Sequence, residues 1–218
     1  MKNSNISNSV IRRLPRYYRF LGELMNEGKE KISSKELSER MKLTASQIRQ
    51  DLNCFGGFGQ QGYGYNVGVL RGEIAEIIGI EKKTDVIIIG AGNLGRAIAS
   101  GMNFDERGCR LIGIFDDNPD IKNTETAGFS VMGMEDLAAF CGENSPKIAV
   151  LCIPEESAKS VCDELISLNV RSFWNFSHFD INLHYEDVTA ENVHMGDSLL
   201  TLVYGVNNRQ NRPANGVF

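Results

Sequence analysis

The residues best placed to do chemistry lie in one stretch, Thr84-Asp85-Val86-Ile87-Ile88-Ile89-Gly90-Ala91-Gly92-Asn93-Leu94-Gly95. Its Gly-x-Gly-x-x-Gly spacing suits a turn that cradles a pyrophosphate. Gly90 permits the sharp turn, Gly92 lets phosphate approach the backbone, and Gly95 lets a helix pack closely on a strand. A helix beginning there offers unpaired N–H groups and a positive dipole end to the phosphates. Asp116 comes 21 residues after Gly95. A carboxylate at that spacing accepts hydrogen bonds from a ribose 2′-OH and repels a 2′-phosphate, so NAD(H) is favoured over NADP(H).

These residues need a particular frame. Val86 to Ile89 is an apolar, mostly β-branched run that predicts a strand buried on both faces. Leu94, Ala97, Ile98 and Met102 recur at helical spacing, and Arg110 to Phe115 predicts the next strand. Further on, strands are expected at 129–132, 148–153 and 170–174, with helices at 134–140 and 155–168 between them. Such alternation implies right-handed βαβ units in a parallel sheet. Ligands bind such sheets at the carboxyl ends of strands. Here those ends are the glycine turn, Asp116, Ile153–Pro154 and Asn175–Ser177. A last apolar run, 199–204, predicts a C-terminal helix, with a loose tail from Asn207. NAD⁺ and NADH differ only at the nicotinamide, so residues that tell them apart should lie beyond the pyrophosphate. Ile153, Pro154, His194 and Met195 are the candidates: Met195 can pack on a neutral dihydronicotinamide, and a protonated His194 would repel the NAD⁺ ring.

The N-terminal part has a different character. Residues 1–80 carry 12 Lys+Arg against 8 Asp+Glu, a balance of +4, whereas 81–218 carry 11 against 20, a balance of −9. Opposite signs suggest domains with different partners. A first helix is expected over 10–28, with Leu14, Tyr17, Leu21 and Leu24 on one face. Arg12, Arg13, Arg16 and Arg19 crowd its start, where cations oppose the helix dipole; this stretch alone suits a solvated basic face, or an anionic partner such as a phosphate backbone. Ser33 or Ser34 can cap a short helix through Met41, and Thr44 can cap another from Ala45 to about Phe55. Two short helices and a tight turn suit a helix-turn-helix, with Ser46, Gln47, Arg49, Gln50 and Asn53 facing base edges. Residues 56–66 alternate glycine with aromatic and polar residues and predict a two-stranded wing carrying Gln60, Gln61 and Tyr63. A helix over 67–79 completes a winged-helix domain.

Inventory narrows the function. A dehydrogenase needs a proton donor beside the nicotinamide and a region that holds substrate. The span from Thr84 to Tyr204 is consumed by the dinucleotide fold, and none of His178, His184 and His194 has an obvious orienting acid. The competing readings are an oxidoreductase with a helical appendage and a DNA-binding protein whose sheet domain holds another ligand. Five cysteines without Cys-x-x-Cys pairing argue against a zinc site or a disulfide framework. No stretch reaches transmembrane length and Met1–Ser9 is not a signal peptide, so a cytoplasmic protein is expected.

With these pieces placed, the chain resembles the Rex family of redox-sensing transcriptional repressors. The resemblance rests on Leu14-Pro15-Arg16-Tyr17-Tyr18-Arg19, Gln47-Ile48-Arg49-Gln50-Asp51-Leu52, Phe55-Gly56-Gly57-Phe58-Gly59, Gly90–Gly95 and Trp174-Asn175-Phe176. It implies a homodimer that binds palindromic, double-stranded operator DNA with NAD⁺ or without ligand and releases it on binding NADH. It also implies a C-terminal helix swapped between subunits. Some positions depart from the family pattern. Gln50, Gln60 and Gln61 stand where basic residues are usual. In some members an Arg, a Tyr and an Asp form a redox-sensitive contact between subunits; Arg19 matches, but Gly101 and His194 occupy the other two positions. The expected architecture is an α/β protein: a winged helix-turn-helix domain over 1–80, a Rossmann-like parallel-sheet domain with a domain-swapped C-terminal helix over 81–206, and a tail over 207–218.

Overall fold

The structure, a computed structural model, describes residues 6–55 and 64–210. They divide into two compact units, with the boundary between Lys82 and Lys83.

The first unit is helical. A turn of helix, α1 (Asn8–Ile11), precedes α2 (Leu14–Asn26), which begins within the expected span of 10–28 at Leu14, the start that Pro15 dictates. Pro15 lies in the first turn of α2, where its missing N–H leaves no bond unmade. After β1 (Lys31–Ile32) come α3 (Ser34–Met41) and α4 (Ala45–Asn53). Local chemistry sets these helix starts. Ser33 Oγ accepts from the Glu36 N–H at 3.1 Å, and the Glu36 carboxylate accepts in return from the Ser33 N–H at 2.9 Å. Lys29 and Ser33 together hold the Glu36 carboxyl down at about 2. Thr44 Oγ1 accepts from the Gln47 N–H at 3.1 Å. The turn between the helices passes through Lys42, in the left-handed region at φ 52°. Leu21 and Leu24 of α2, Leu37 of α3, Ile48 and Leu52 of α4 and Leu70 of α5 (Val67–Ile78) share one buried core.

The expected wing falls mostly outside the described residues, including Gln60, Gln61 and Tyr63. Just before α5 lies β2 (Tyr65–Asn66), paired antiparallel with β1. Asn66 then caps α5 by accepting from the Val69 N–H at 2.9 Å.

The second unit is a six-stranded parallel sheet between layers of helix. Its strands are β3 (Thr84–Ile89), β4 (Cys109–Asp116), β7 (Met132–Gly133), β8 (Ile148–Leu151), β9 (Ser172–Asn175) and β10 (Thr189–Asn192), in the order β10-β9-β8-β3-β4-β7. A small hairpin, β5 (Glu125–Thr126) and β6 (Phe129–Ser130), precedes β7, so the single strand expected over 129–132 is two short ones. The helices are α6 (Asn93–Gly101), α7 (Leu137–Asn144), α8 (Glu155–Ser167) and α9 (Ile181–His184). Alternation along β3 divides the core. Val86 and Ile88 pack with Ile98 and Ala99 of α6, while Ile87 and Ile89 pack with Leu137 of α7, Leu165 of α8 and Ile181 of α9. The α6 side of β8, β9 and β10 borders an apolar cavity of about 440 Å³, walled by Val86, Ile148, Val150 and Trp174.

The chain ends in α10 (Met195–Gln210), longer than the expected 199–204 and including Asn207–Gln210, which the sequence assigns to a tail. Leu199, Leu200, Leu202 and Tyr204 are all more than 60% exposed.

Candidate nucleotide cradle and nucleic-acid interface

Strand β3 delivers the chain into the glycine turn at the carboxyl end of the sheet, between β4 and β8. Gly90 has φ +98°, and a Cβ there would lie 2.4 Å from the Cys152 carbonyl oxygen. A Cβ on Gly95 would lie 1.8 Å from the Gly90 carbonyl oxygen. Neither place admits a side chain unless backbone moves. Gly92 is the opposite case: a Cβ there would meet nothing within 4 Å. It is also the N-cap of α6 and contributes no side-chain cap, so the positive end of the helix faces open space.

Asp116, the last residue of β4, closes the other side. One carboxylate oxygen accepts from the Ala91 N–H at 2.6 Å, and the other from the Asn118 N–H at 2.8 Å. The acid is thus drawn against the glycine turn, and each ionised oxygen keeps a further lone pair. Gly90, Gly92, Asp116, Ile153 and Pro154 share one cavity of about 190 Å³. An uncapped helix start, an open glycine and a fixed acid fit the pyrophosphate and ribose of a dinucleotide. Asp117, Met134, Cys152 and Ser157 also line it, and sequence reasoning passed over them. Asp117 is the neighbour of the assigned acid, and Cys152 precedes Ile153, so strand-end proximity was the available signal. Burial pushes the Cys152 thiol up to about 12, which keeps it a neutral packing group.

Other expected residues lie elsewhere. Asn93 accepts from Arg96 at 3.3 Å, and Leu94 packs partly buried against the α6 side of the sheet. Gly101 ends α6 in open surroundings. His194 and Met195 are not among the residues lining the cavity. His194 stacks on His178 with ring centroids 5.9 Å apart and lies 3.5 Å from Asp197; Met195 is exposed at the start of α10. Asn175, at the end of β9, is fully buried. It donates to the Phe179 carbonyl at 2.6 Å and to Asn192 at 2.9 Å, and accepts from the Ser177 N–H and hydroxyl. It holds the strand-end loop to β10.

In the first unit, α3, the tight turn and α4 form the expected helix-turn-helix. Ser46, Arg49 and Gln50 are exposed along α4, with Arg49 donating to Ser34 at 3.1 Å. Gln47 instead donates to Asp51 at 2.8 Å. Of the arginines near α2, Arg12 and Arg19 are exposed; Arg19 lies 4.0 Å from Glu23. Arg16 donates to the Met41 carbonyl and lies over the Phe20 ring. Arg13 forms a two-pronged pair with buried Asp51, at 2.7 and 2.8 Å. Burial would push the Asp51 carboxyl up, but hydrogen bonds from Arg13, Gln47 and Tyr17, with the Arg13 charge, hold it below the usual carboxylate range. Among the described residues no group of His, Cys, Asp and Glu could hold a metal ion, and no helix is long and apolar enough to cross a membrane.

A helix-turn-helix unit joined to a parallel-sheet unit with a dinucleotide-type turn defines a class: DNA-binding regulators with a nucleotide-responsive domain. Residues 5–53 match the family described as "Putative DNA-binding protein N-terminus", and residues 81–179 the family described as "CoA binding domain". The chain is 50% identical over 206 residues to the redox-sensing transcriptional repressor Rex of Clostridium novyi, covering 94% of this chain and 98% of that protein. It is 49% identical over 209 residues to Rex of Caldanaerobacter subterraneus, covering 96% and 93%. Among solved structures, RSP in complex with β-NAD⁺ and operator DNA superposes with a TM-score of 0.89 at 47% identity, covering 95% of each chain. RSP in complex with β-NADH superposes with a TM-score of 0.86 at 44% identity, covering 95% and 97%. The chain belongs to the Rex family of redox-sensing transcriptional repressors.

Proposed function

We propose that this protein represses transcription as a cytoplasmic homodimer. It binds a palindromic operator with NAD⁺ or without nucleotide, and NADH binding releases it. The observation that carries this reading is the presence, in one chain, of a doubly capped helix-turn-helix and the Gly90–Gly95 cradle closed by Asp116. The Gly92 backbone and the start of α6 receive the pyrophosphate, Asp116 the ribose hydroxyls, and Ile153 and Pro154 border the nicotinamide. Ser46, Arg49 and Gln50 face base edges; Arg12, Arg16 and the wing with Gln60, Gln61 and Tyr63 track the DNA backbone. The apolar face of α10 and the apolar cavity beside β8–β10 support a dimer, because the described residues leave apolar surface open at each. With Gly101 and His194 at two of the three positions of the family's Arg-Tyr-Asp contact, Arg19 cannot make that contact here. The switch then rests on nucleotide contacts at Ile153 and Pro154, which line the cavity. The test is a gel shift on a palindromic duplex with NADH titrated against constant NAD⁺. Release by NADH at unchanged total nucleotide is expected. Equal retention at every ratio refutes the redox reading, and a steady loss of NADH absorbance on adding carbonyl compounds would favour the oxidoreductase.

A further inference from the structure

Asp51 lies on the inner side of α4 and is completely buried. Four donors reach its two oxygens. Arg13 Nε and the Tyr17 hydroxyl meet Oδ2 at 2.7 and 2.8 Å; Arg13 Nη2 and Gln47 Nε2 meet Oδ1, each at 2.8 Å. Arg13 and Tyr17 come from the start of α2, and Gln47 from the first turn of α4. That first turn is the part of a recognition helix that meets base edges. A buried charge of this kind adds little net stability compared with apolar packing. It does impose one arrangement, because any shift of α4 relative to α2 leaves a buried carboxylate short of partners. The Gln47 amide is held too: an ionised carboxylate only accepts, so Nε2 must face it.

We propose that Asp51 is the positioning residue of the recognition helix, and that Arg13 and Gln47 act on operator binding through it instead of touching DNA. This rests on the operator-binding reading above and moves Arg13 and Gln47 away from the DNA contact that the sequence suggests for them. Base reading along α4 then falls to Ser46, Arg49, Gln50 and Asn53, which are exposed.

The two readings of Gln47 differ in a double-mutant cycle. A duplex is first enriched by the unmutated protein, with NAD⁺, from a randomised pool. If no duplex is enriched, the operator-binding reading itself fails, and the clamp's role in it falls too. The enriched duplex and its single-base-pair variants are then titrated with the unmutated protein, Gln47→Ala, Asp51→Asn and the double variant. Each single change should weaken binding roughly tenfold, the scale of one lost charge-assisted hydrogen bond. The double variant should be no weaker than the weaker single one. The penalty for each base-pair change should stay the same in Gln47→Ala, and NADH affinity should stay constant throughout. Losses that multiply, or a base-pair penalty that vanishes in Gln47→Ala, overturn the proposal. Where Asp51→Asn fails to fold by circular dichroism, Tyr17→Phe takes its place in the cycle. It keeps the ring and removes one donor.

Discussion

The two units hold their functional parts by opposite means. In the helical unit the recognition helix is fixed by added polarity: a buried carboxylate, two arms of an arginine, a tyrosine hydroxyl and an amide. In the sheet unit the cradle is fixed by subtraction. Gly90 and Gly95 leave no room for a Cβ, and at Gly92 no described residue comes within 4 Å of where a Cβ would lie. A polar clamp can be weakened one bond at a time and responds to pH. A shape made by missing side chains fails outright where a Cβ meets backbone, at Gly90 and Gly95, and has slack only at Gly92.

The largest effect should come from Gly95→Ala. Its Cβ would overlap the Gly90 carbonyl, so the sheet unit should lose about 3 kcal/mol in urea unfolding and NADH binding should be abolished. Gly92→Ala sharpens the contrast. It should leave stability within about 0.5 kcal/mol, because the Cβ has space, yet weaken NADH binding in calorimetry by blocking the pyrophosphate. Equal stability losses in the two variants would break the account of the cradle.

Asp116→Ala should weaken NADH binding by about 2 kcal/mol, the scale for hydrogen bonds to a charged group. The unmutated protein should prefer NADH to NADPH. Equal affinities for the two by calorimetry would remove Asp116 as the selecting acid.

Arg13→Leu should destabilise the helical unit by about 2 kcal/mol, less than for a fully buried pair because Arg13 is 24% exposed. The same clamp gives an acid sensitivity. The folded Asp51 carboxyl lies below its unfolded value of about 3.9. Its stabilisation is therefore complete above that value and is lost as pH falls through the folded one. Between pH 5 and pH 2 the urea midpoint of the unmutated protein should fall more steeply than that of Asp51→Asn. Parallel slopes would remove Asp51 as the acid-sensitive group.

Ser33→Ala should cost about 1 kcal/mol through the lost cap of α3. Smallest of all is Lys159→Ala. It removes an exposed pair with Asp163 on α8 and should leave the thermal midpoint unchanged.

Sequence alone determined what depends on neighbours along the chain. The apolar run before Gly90, the glycine spacing, and the caps at Ser33 and Thr44 are contacts over a few residues, so residue type was sufficient. Pairing across long separations was not legible. Thr189–Asn192 has no apolar pattern, and it is a strand because it lies beside β9 at the sheet edge. Tyr65–Asn66 was expected to pair within a wing, and its partner is Lys31–Ile32. Arg13 and Gln47 carry the right chemistry for DNA; Gln47 meets Asp51 one helical turn away, but only the fold brings Arg13 to it across 38 residues. Likewise Cys152 and Ser157 enter the cradle because β8 lies beside β3. Local preferences decide the elements, and the tertiary arrangement decides which polar groups have already been spent on one another.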